Sequence, residues 1–419
     1  MKIRLHLTFA AAVTAVAAAA TLAAPGFAQD QPSGPGASDP PVAKPDAEAK
    51  PAASDPLHAA YEEIQVTQAA MRAAAATKIP EAMSAAQKSM RAAQAKFQGV
   101  FATSDWDAID PVKDRDLLAL GLQITANEAL GKGDGKTALR ACELFLAKLS
   151  DTPAAASVNS YMLPAACIAT GDFDRAASIW EKVAAGDDAR TKGRAAVSLG
   201  DLRSARGDAE GARAAWKIAA DAVVSGAKND PAAGPKRDGE MRLALVGSPA
   251  PEIDSKTWLG GEPKALSAMK GSVVIVDFWA TWCPPCRAVM PGLSEMFDKR
   301  KKDGLAVLGV TRFYGNGFMP TKGTKEPVTD GARVQGISEA AFPGHLEEFK
   351  ENLAISYPFV TATQAEFDAY KVQGIPTMAV IDREGKIAFL KVGSGDETLL
   401  AMVVDRLLAA PATAPAPVK

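Results

Sequence analysis

Two grammars of apolar and polar positions divide this chain. From Leu57 to about Val224 the pattern is helical, dominated by Ala, Leu, Gln, Glu, Lys and Arg and punctuated by Pro80, Pro111, Pro153 and Pro164. From Val246 the pattern changes to short apolar runs separated by turn residues. Val273–Phe278 is a continuous, β-branched run of strand length, as a strand buried on both faces reads, and Leu305–Val310 is a second. Cys283 to about Lys301, Glu347–Leu353 and Glu366–Tyr370 read as helices, and Glu397–Leu408 as a closing amphipathic helix. Met378–Asp382 and Ile387–Lys391 read as strands joined by the tight turn Arg383-Glu384-Gly385. The expected fold class is therefore two domains, an all-α domain followed by an α/β domain with a mixed central sheet flanked by helices.

Within the helical part a turn recurs. Gly133-Asp134 precedes Ala138, Gly171-Asp172 precedes Ala176, and Gly207-Asp208 precedes Ala212, with Trp180 and Trp216 one turn later in the last two units. A turn built on Gly-Asp, followed by a helix with a small residue at its crowded packing position, resembles tetratricopeptide repeats, whose helix pairs stack into a solenoid. The resemblance spans about 120–218 and is degenerate, because Pro164 sits where that family favours Gly. An unrelated helical bundle with Gly-Asp caps would show the same turns.

The ends and junctions complete the layout. Lys2 and Arg4, an apolar run from Leu5 to about Ala24 and the small residues of Gly26-Phe27-Ala28 predict a cleaved bacterial signal peptide over 1–28, hence a periplasmic or secreted protein. The run is nearly long enough for an uncleaved anchor, although alanine is a weak membrane residue. Residues 29–56, rich in Pro, Ala, Ser and Gly, are expected to be a disordered linker. The expected domains are 57–225 and 247–410, with a linker at 226–246 and a disordered tail at 411–419. A length of 419 residues fits two domains, and a formal charge of −2 excludes a nucleic-acid partner held by phosphate neutralisation.

Four cysteines bear the candidate chemistry: Cys142, Cys167, Cys283 and Cys286. In Trp279-Ala-Thr-Trp-Cys283-Pro-Pro-Cys286-Arg287 the spacing of three places both sulfurs on the first turn of a helix, close enough to bond. There, unpaired backbone N–H groups and the positive helix end stabilise a thiolate at Cys283, and Pro284 and Pro285 sit where a missing N–H costs nothing. A stabilised thiolate both attacks and leaves well, as disulfide exchange requires. Cys286, one turn deeper, is expected to be less exposed and to resolve the mixed disulfide. Zinc would need two more ligands than this pair supplies, so no metal is expected. No cofactor is expected beyond the redox-active Cys283–Cys286 disulfide.

Val276-Asp-Phe-Trp-Ala-Thr-Trp-Cys-Pro-Pro-Cys286 and Gly374-Ile-Pro-Thr-Met378 resemble the two signatures of the thioredoxin superfamily, and most closely its TlpA/ResA-like extracytoplasmic branch. Gly247-Ser-Pro-Ala-Pro251 and Gly260-Gly-Glu262 resemble the beginning of the same domain. The resemblance implies a thioredoxin fold and a cis Pro376 facing the disulfide. It implies that Asp277 is a buried acid taking the Cys286 proton, and that Ile375, Thr377, Trp282, Pro284 and Pro285 meet the substrate. It also implies disulfide-bearing extracytoplasmic proteins as partners, an external thiol donor that can be membrane-bound, and the reducing direction. Val289 stands where many members carry Glu, and the lysine that partners the buried acid in thioredoxin is replaced near Gly309. Residues 314–344 form an insertion that reads either as a specificity loop beside the site or as a solvated excursion. If the repeat reading holds, Cys142 and Cys167 lie on neighbouring helices and are expected to form a structural disulfide, the alternative being two buried thiols. Two other readings of the whole chain are an interaction scaffold whose helical domain recruits a protein partner, with the redox domain tethered to it, and a thiol peroxidase. The latter is weak because the Pro-x-x-x-Thr-x-x-Cys motif of such enzymes is not matched ahead of Cys283.

Overall fold

The computed structural model describes residues 55–411 apart from 78, 226, 228, 229, 256 and 396. The expected signal peptide lies outside the described residues, as do the expected linker before residue 55 and the tail beyond 411. Among the described residues no helix is long and apolar enough to cross a membrane.

The described chain divides into two compact units, one of residues 55–124 with 151–153 and the other of 125–150 with 154–411. The first unit is built on α1 (Pro56–Thr77) and α2 (Pro80–Thr103), which pack on one another, and on the start of α3 (Arg115–Gly131). Its apolar seam is aromatic: Phe97 meets Tyr61 and Phe101, and Phe101 stacks on Trp106.

The second unit begins with helices. They comprise the end of α3, then α4 (Gly135–Leu149) and α5 (Ala155–Ser157). A π-helical turn (Val158–Met162) leads into α6 (Leu163–Thr170), α7 (Phe173–Ala184), α8 (Ala189–Ala205) and α9 (Ala209–Ala220). The three Gly-Asp turns fold alike. Gly133, Gly171 and Gly207 have φ of +70°, +82° and +87°, a left-handed conformation glycine adopts without steric cost. Asp134, Asp172 and Asp208 then donate their backbone N–H to the carbonyls of Ala129, Cys167 and Arg203. Their carboxylates cap the next helix by accepting from the N–H of Thr137, Arg175 and Gly211. Ala138, Ala176 and Ala212, each four residues after the capping aspartate, are all fully buried. The Trp180 indole N–H donates to the Ser160 carbonyl at 3.1 Å and that of Trp216 to Asp201 at 3.0 Å.

The expected linker at 226–246 is corrected by α10 (Ala233–Leu245), which packs on α8 and α9. Its polar sequence hid a buried side: Arg242 forms a two-pronged ion pair with Asp201 at 2.6 and 2.8 Å, while Met241 and Leu245 enter the core of the α/β domain. The helical array and the α/β domain thus belong to one unit. Arg406 donates to the carbonyls of Ala205 and Ser204 at the end of α8, and Ser204 donates to Ala388.

The α/β domain contains β1 (Thr257–Leu259), β2 (Val273–Phe278), α11 (Pro284–Arg300), β3 (Leu305–Thr311), β4 (Asn316–Pro320) and β5 (Gly331–Gln335). It continues through α12 (Phe342–Asn352), β6 (Phe359–Thr361), α13 (Gln364–Ala369), β7 (Thr377–Ile381), β8 (Ile387–Val392) and α14 (Glu397–Ala409). Six strands form a mixed sheet in the order β1-β6-β3-β2-β7-β8, and β4 and β5 form a separate hairpin. β2 is central and buried throughout, which is why its sequence is continuously apolar except at Asp277. The β7–β8 turn is tied by Asp382, whose carboxylate accepts from the N–H of Glu384 and Lys386 at 2.9 Å. Val276 and Phe278 point into the core that contains Met241 and Leu245, so Asp277 between them faces the opposite side of the sheet.

Candidate active site

β2 ends at Phe278, and a short loop carries the chain to α11, the helix that presents the cysteines. Cys283 is its N-cap, with φ −86° and ψ 105°, and Pro284 and Pro285 occupy the first positions, where no N–H is needed. The first free donors serve the cap: the Cys286 N–H points at the Cys283 sulfur at 3.3 Å, and the Arg287 N–H donates to the Cys283 carbonyl at 3.1 Å. Cys283 and Cys286 are disulfide-bonded, with 5.3 Å between their Cα atoms. The Ile375–Pro376 peptide bond is cis, and the Ile375 carbonyl oxygen lies 3.7 Å from the Cys283 sulfur. Thr377 starts β7 and donates its hydroxyl to the Gly374 carbonyl, while Gly393 donates to the Pro376 carbonyl at 2.8 Å. The residues expected to meet substrate therefore gather here: Trp282, Pro284 and Pro285 on one side of the disulfide, Ile375 and Thr377 on the other.

Exposure departs from expectation. Cys286 is fully buried, but Cys283 itself exposes only 2% of its surface, because the Ile375 carbonyl and the first turn of α11 cover the sulfur. The exposed group is Trp282, at 40%, leaning edge-on against Tyr314 at 5.2 Å. Trp279 is buried against Phe349 and Phe359 and belongs to the packing.

Asp277 has no exposed surface, and neither carboxylate oxygen has a hydrogen-bond partner. Burial pushes its pKa up to about 7, against a partial pull downward from Lys391. This lysine was not singled out from the sequence. Strand register explains it: Asp277 pairs with Met378 and Met378 with Lys391, so the three side chains share one face of the sheet, two strand spacings apart. Lys391 is 5% exposed, donates to the Gly393 carbonyl at 3.2 Å and lies 3.8 Å from Glu397. The substitution expected near Gly309 is thus offset by a cation on the other side of the acid. Gly309 itself is enforced by packing, since a Cβ there would lie 2.8 Å from Phe359, 3.0 Å from Tyr357 and 3.1 Å from the Trp279 indole nitrogen. An inward lysine on an otherwise apolar strand was the available signal. Its partner became visible only with the register.

The insertion over 314–344 carries the β4–β5 hairpin and the start of α12. Thr281, two residues before Cys283, bonds the His345 imidazole at 3.2 Å and accepts from the Phe318 N–H. Val289, where a glutamate was noted as missing, is buried in α11.

Cys142 and Cys167 are both free and buried, which corrects the expected structural disulfide. They are packed as apolar side chains, and burial, with a smaller contribution from Cys167, pushes the Cys142 thiol up to about 12. Among the described residues no cluster of three or more His, Cys, Asp or Glu is arranged to hold a metal ion.

Residues 245–406 match the Redoxin family model. The thiol-disulfide oxidoreductase ResA of Geobacillus kaustophilus is 29% identical over 156 residues, covering 37% of this chain and 74% of that protein. The thioredoxin-like protein YneN of Bacillus subtilis is 30% identical over 148 residues, covering 35% of this chain and 72% of its own. A crystal structure of a thioredoxin-family thiol:disulfide interchange protein from Chlorobium tepidum aligns with 39% of this chain and 97% of its own, at 24% identity and a TM-score of 0.30. The α/β domain is a thioredoxin-fold redox module. Through it the chain belongs to the TlpA/ResA-like branch of the thioredoxin superfamily, and it is an enzyme of the thiol–disulfide oxidoreductase class.

Proposed function

We propose that this protein exchanges disulfides with other proteins outside the cytoplasm, in the reducing direction, through Cys283 and Cys286. The observation that carries this reading is the bonded pair at the start of α11, set against the cis Ile375–Pro376 bond. In the reduced enzyme the Cys283 thiolate attacks one sulfur of a substrate disulfide; a Cys283–substrate bond forms and the other substrate sulfur leaves as thiolate. Cys286 gives its proton to Asp277 and attacks the Cys283 sulfur, closing the Cys283–Cys286 bond and releasing the second substrate thiolate. Two electrons pass from the enzyme dithiol to the substrate, and an external thiol donor, membrane-bound or soluble, returns them. No cofactor beyond the disulfide takes part.

The substrate strand pairs with the backbone at Ile375 and Thr377, and Trp282, Pro284 and Pro285 border it. Since Cys283 is nearly covered in the oxidised form, entry of the donor thiol draws the Ile375 carbonyl away from the sulfur. The N-terminal segment acts as a cleaved signal peptide, and the tetratricopeptide-like helices dock a protein partner. The contacts of α10 and Arg406 with the α/β domain favour a single joined body over a redox domain tethered to a separate scaffold.

Equilibration of the purified protein with glutathione buffers tests the direction. A Cys283–Cys286 couple more reducing than glutathione supports the reductase role, and a couple more oxidising than glutathione overturns it.

A further inference from the structure

Arg287, the residue after the second cysteine, exposes only 2% of its surface, yet among the described residues its guanidinium is held by backbone carbonyls and not by a carboxylate. Its Nε donates to the Pro327 carbonyl, Nη2 to the Val328 carbonyl and Nη1 to the Thr281 carbonyl, each at 2.7 Å. The guanidinium also stacks 3.8 Å from the centre of the Phe318 ring. Pro327, Val328 and Phe318 all belong to the insertion, and Thr281 belongs to the loop that delivers Cys283 to its helix. A buried cation satisfied by neutral carbonyls keeps its full charge locally, because no anion cancels it.

We propose that Arg287 is a positioning residue for exchange: its charge, sealed in by the insertion, holds Cys283 as a thiolate. The inference rests on the reading of Cys283 as the attacking thiol and adds to it the source of its ionisation and a task for residues 314–344. The insertion is a wall that keeps water from screening a cation beside the active-site loop. Carbonyl dipoles hold that cation in place without neutralising it.

The other titratable groups around the cation do not supply a counter-charge. His345 on α12, bonded to Thr281, is held toward its neutral form by burial. Glu326 in the insertion is exposed and accepts from Thr329. Arg312, after β3, lies over Tyr314 and carries the same sign as Arg287. Asp277 sits on β2 and is held toward its neutral form by burial. Burial moves Arg287 itself only to about 10, so it is charged at neutral pH.

The test is the rate at which the reduced full-length protein is alkylated by iodoacetamide at Cys283, followed by mass spectrometry from pH 5 to about pH 10. Arg287→Gln is expected to slow the reaction about tenfold at pH 7 and to move the midpoint up, as loss of a nearby opposite charge does. Arg287→Lys, which keeps the charge, is expected to stay within about threefold of the natural protein. A Gln variant that follows the natural pH profile, or a Lys variant as slow as Gln, overturns the proposal. A second measurement uses the natural protein alone: the midpoint should hold steady between about 0.05 M and about 1 M salt, because a sealed charge is little screened. A midpoint that climbs with salt assigns the effect to an exposed charge and overturns the proposal even if the variants fail to fold. A Cys283 that does not react at any pH instead removes the reading of the active site on which this inference stands.

Discussion

Replacing Asp277 by Asn isolates the energetic cost of a buried acid. In the oxidised protein neither active-site cysteine titrates, so the carboxyl can be followed without interference from the thiols. Its pKa stands at about 7 in the fold against an ordinary 3.8, with burial as the main cause. Below about pH 3 the carboxyl is protonated in both folded and unfolded chains and makes no difference. As pH rises from about 3 to about 7 the unfolded chain releases this proton while the folded one retains it, so the folded state binds more protons and stability falls. Above pH 7 the loss is complete, on the order of 4 kcal/mol at 1.36 kcal/mol per unit. Asn has nearly the same shape and no charge to desolvate. Urea unfolding of the oxidised natural and Asp277→Asn proteins should therefore give similar stabilities at pH 4.5 and a clearly more stable variant at pH 8. Equal differences between the two proteins at both pH values would refute the desolvation argument. The same variant should slow closure of the Cys283–Cys286 bond about a hundredfold, having no base to accept the Cys286 proton.

Lys391→Met should raise the Asp277 pKa further, since the lysine pulls it down. The loss of stability, whose onset the unfolded chain sets, then continues to a higher pH and becomes larger, and closure of the disulfide at pH 7 slows about tenfold. Gly309→Ala should cost about 1–3 kcal/mol in urea unfolding, as Phe359, Tyr357 and Trp279 must move; a neutral result would show that this face is loosely packed. Cys142 and Cys167 should be recovered as free thiols by nonreducing peptide mapping. With Cys142 pushed up to about 12, its thiolate fraction at pH 8 is about one in ten thousand, so it should react with iodoacetamide only after unfolding. A 142–167 bridged peptide would contradict this assignment.

The residue pattern alone announced the α/β domain and its cysteine pair, whereas the cis proline was implied only by the resemblance of Gly374-Ile-Pro-Thr-Met378 to a family signature. The first two depend on local chemistry: an apolar run long enough for a strand and a Cys-x-x-Cys spacing that matches one helical turn. The Gly-Asp turns were legible for the same reason, as each cap is satisfied within a few residues of itself. What escaped was whatever depends on distant partners. The helix α10 looked like a linker because its buried arginine meets an aspartate 41 residues away. Lys391 became the neighbour of Asp277 through two strand registers that no local pattern encodes. Arg287 was not singled out from the sequence, because the insertion carbonyls that meet its guanidinium come from Pro327 and Val328, far along the chain. Local spacing therefore determined which atoms do the chemistry. Tertiary packing decided the charges around them, because the energy of a charge depends on what excludes water from it, and that is settled by segments far away along the chain.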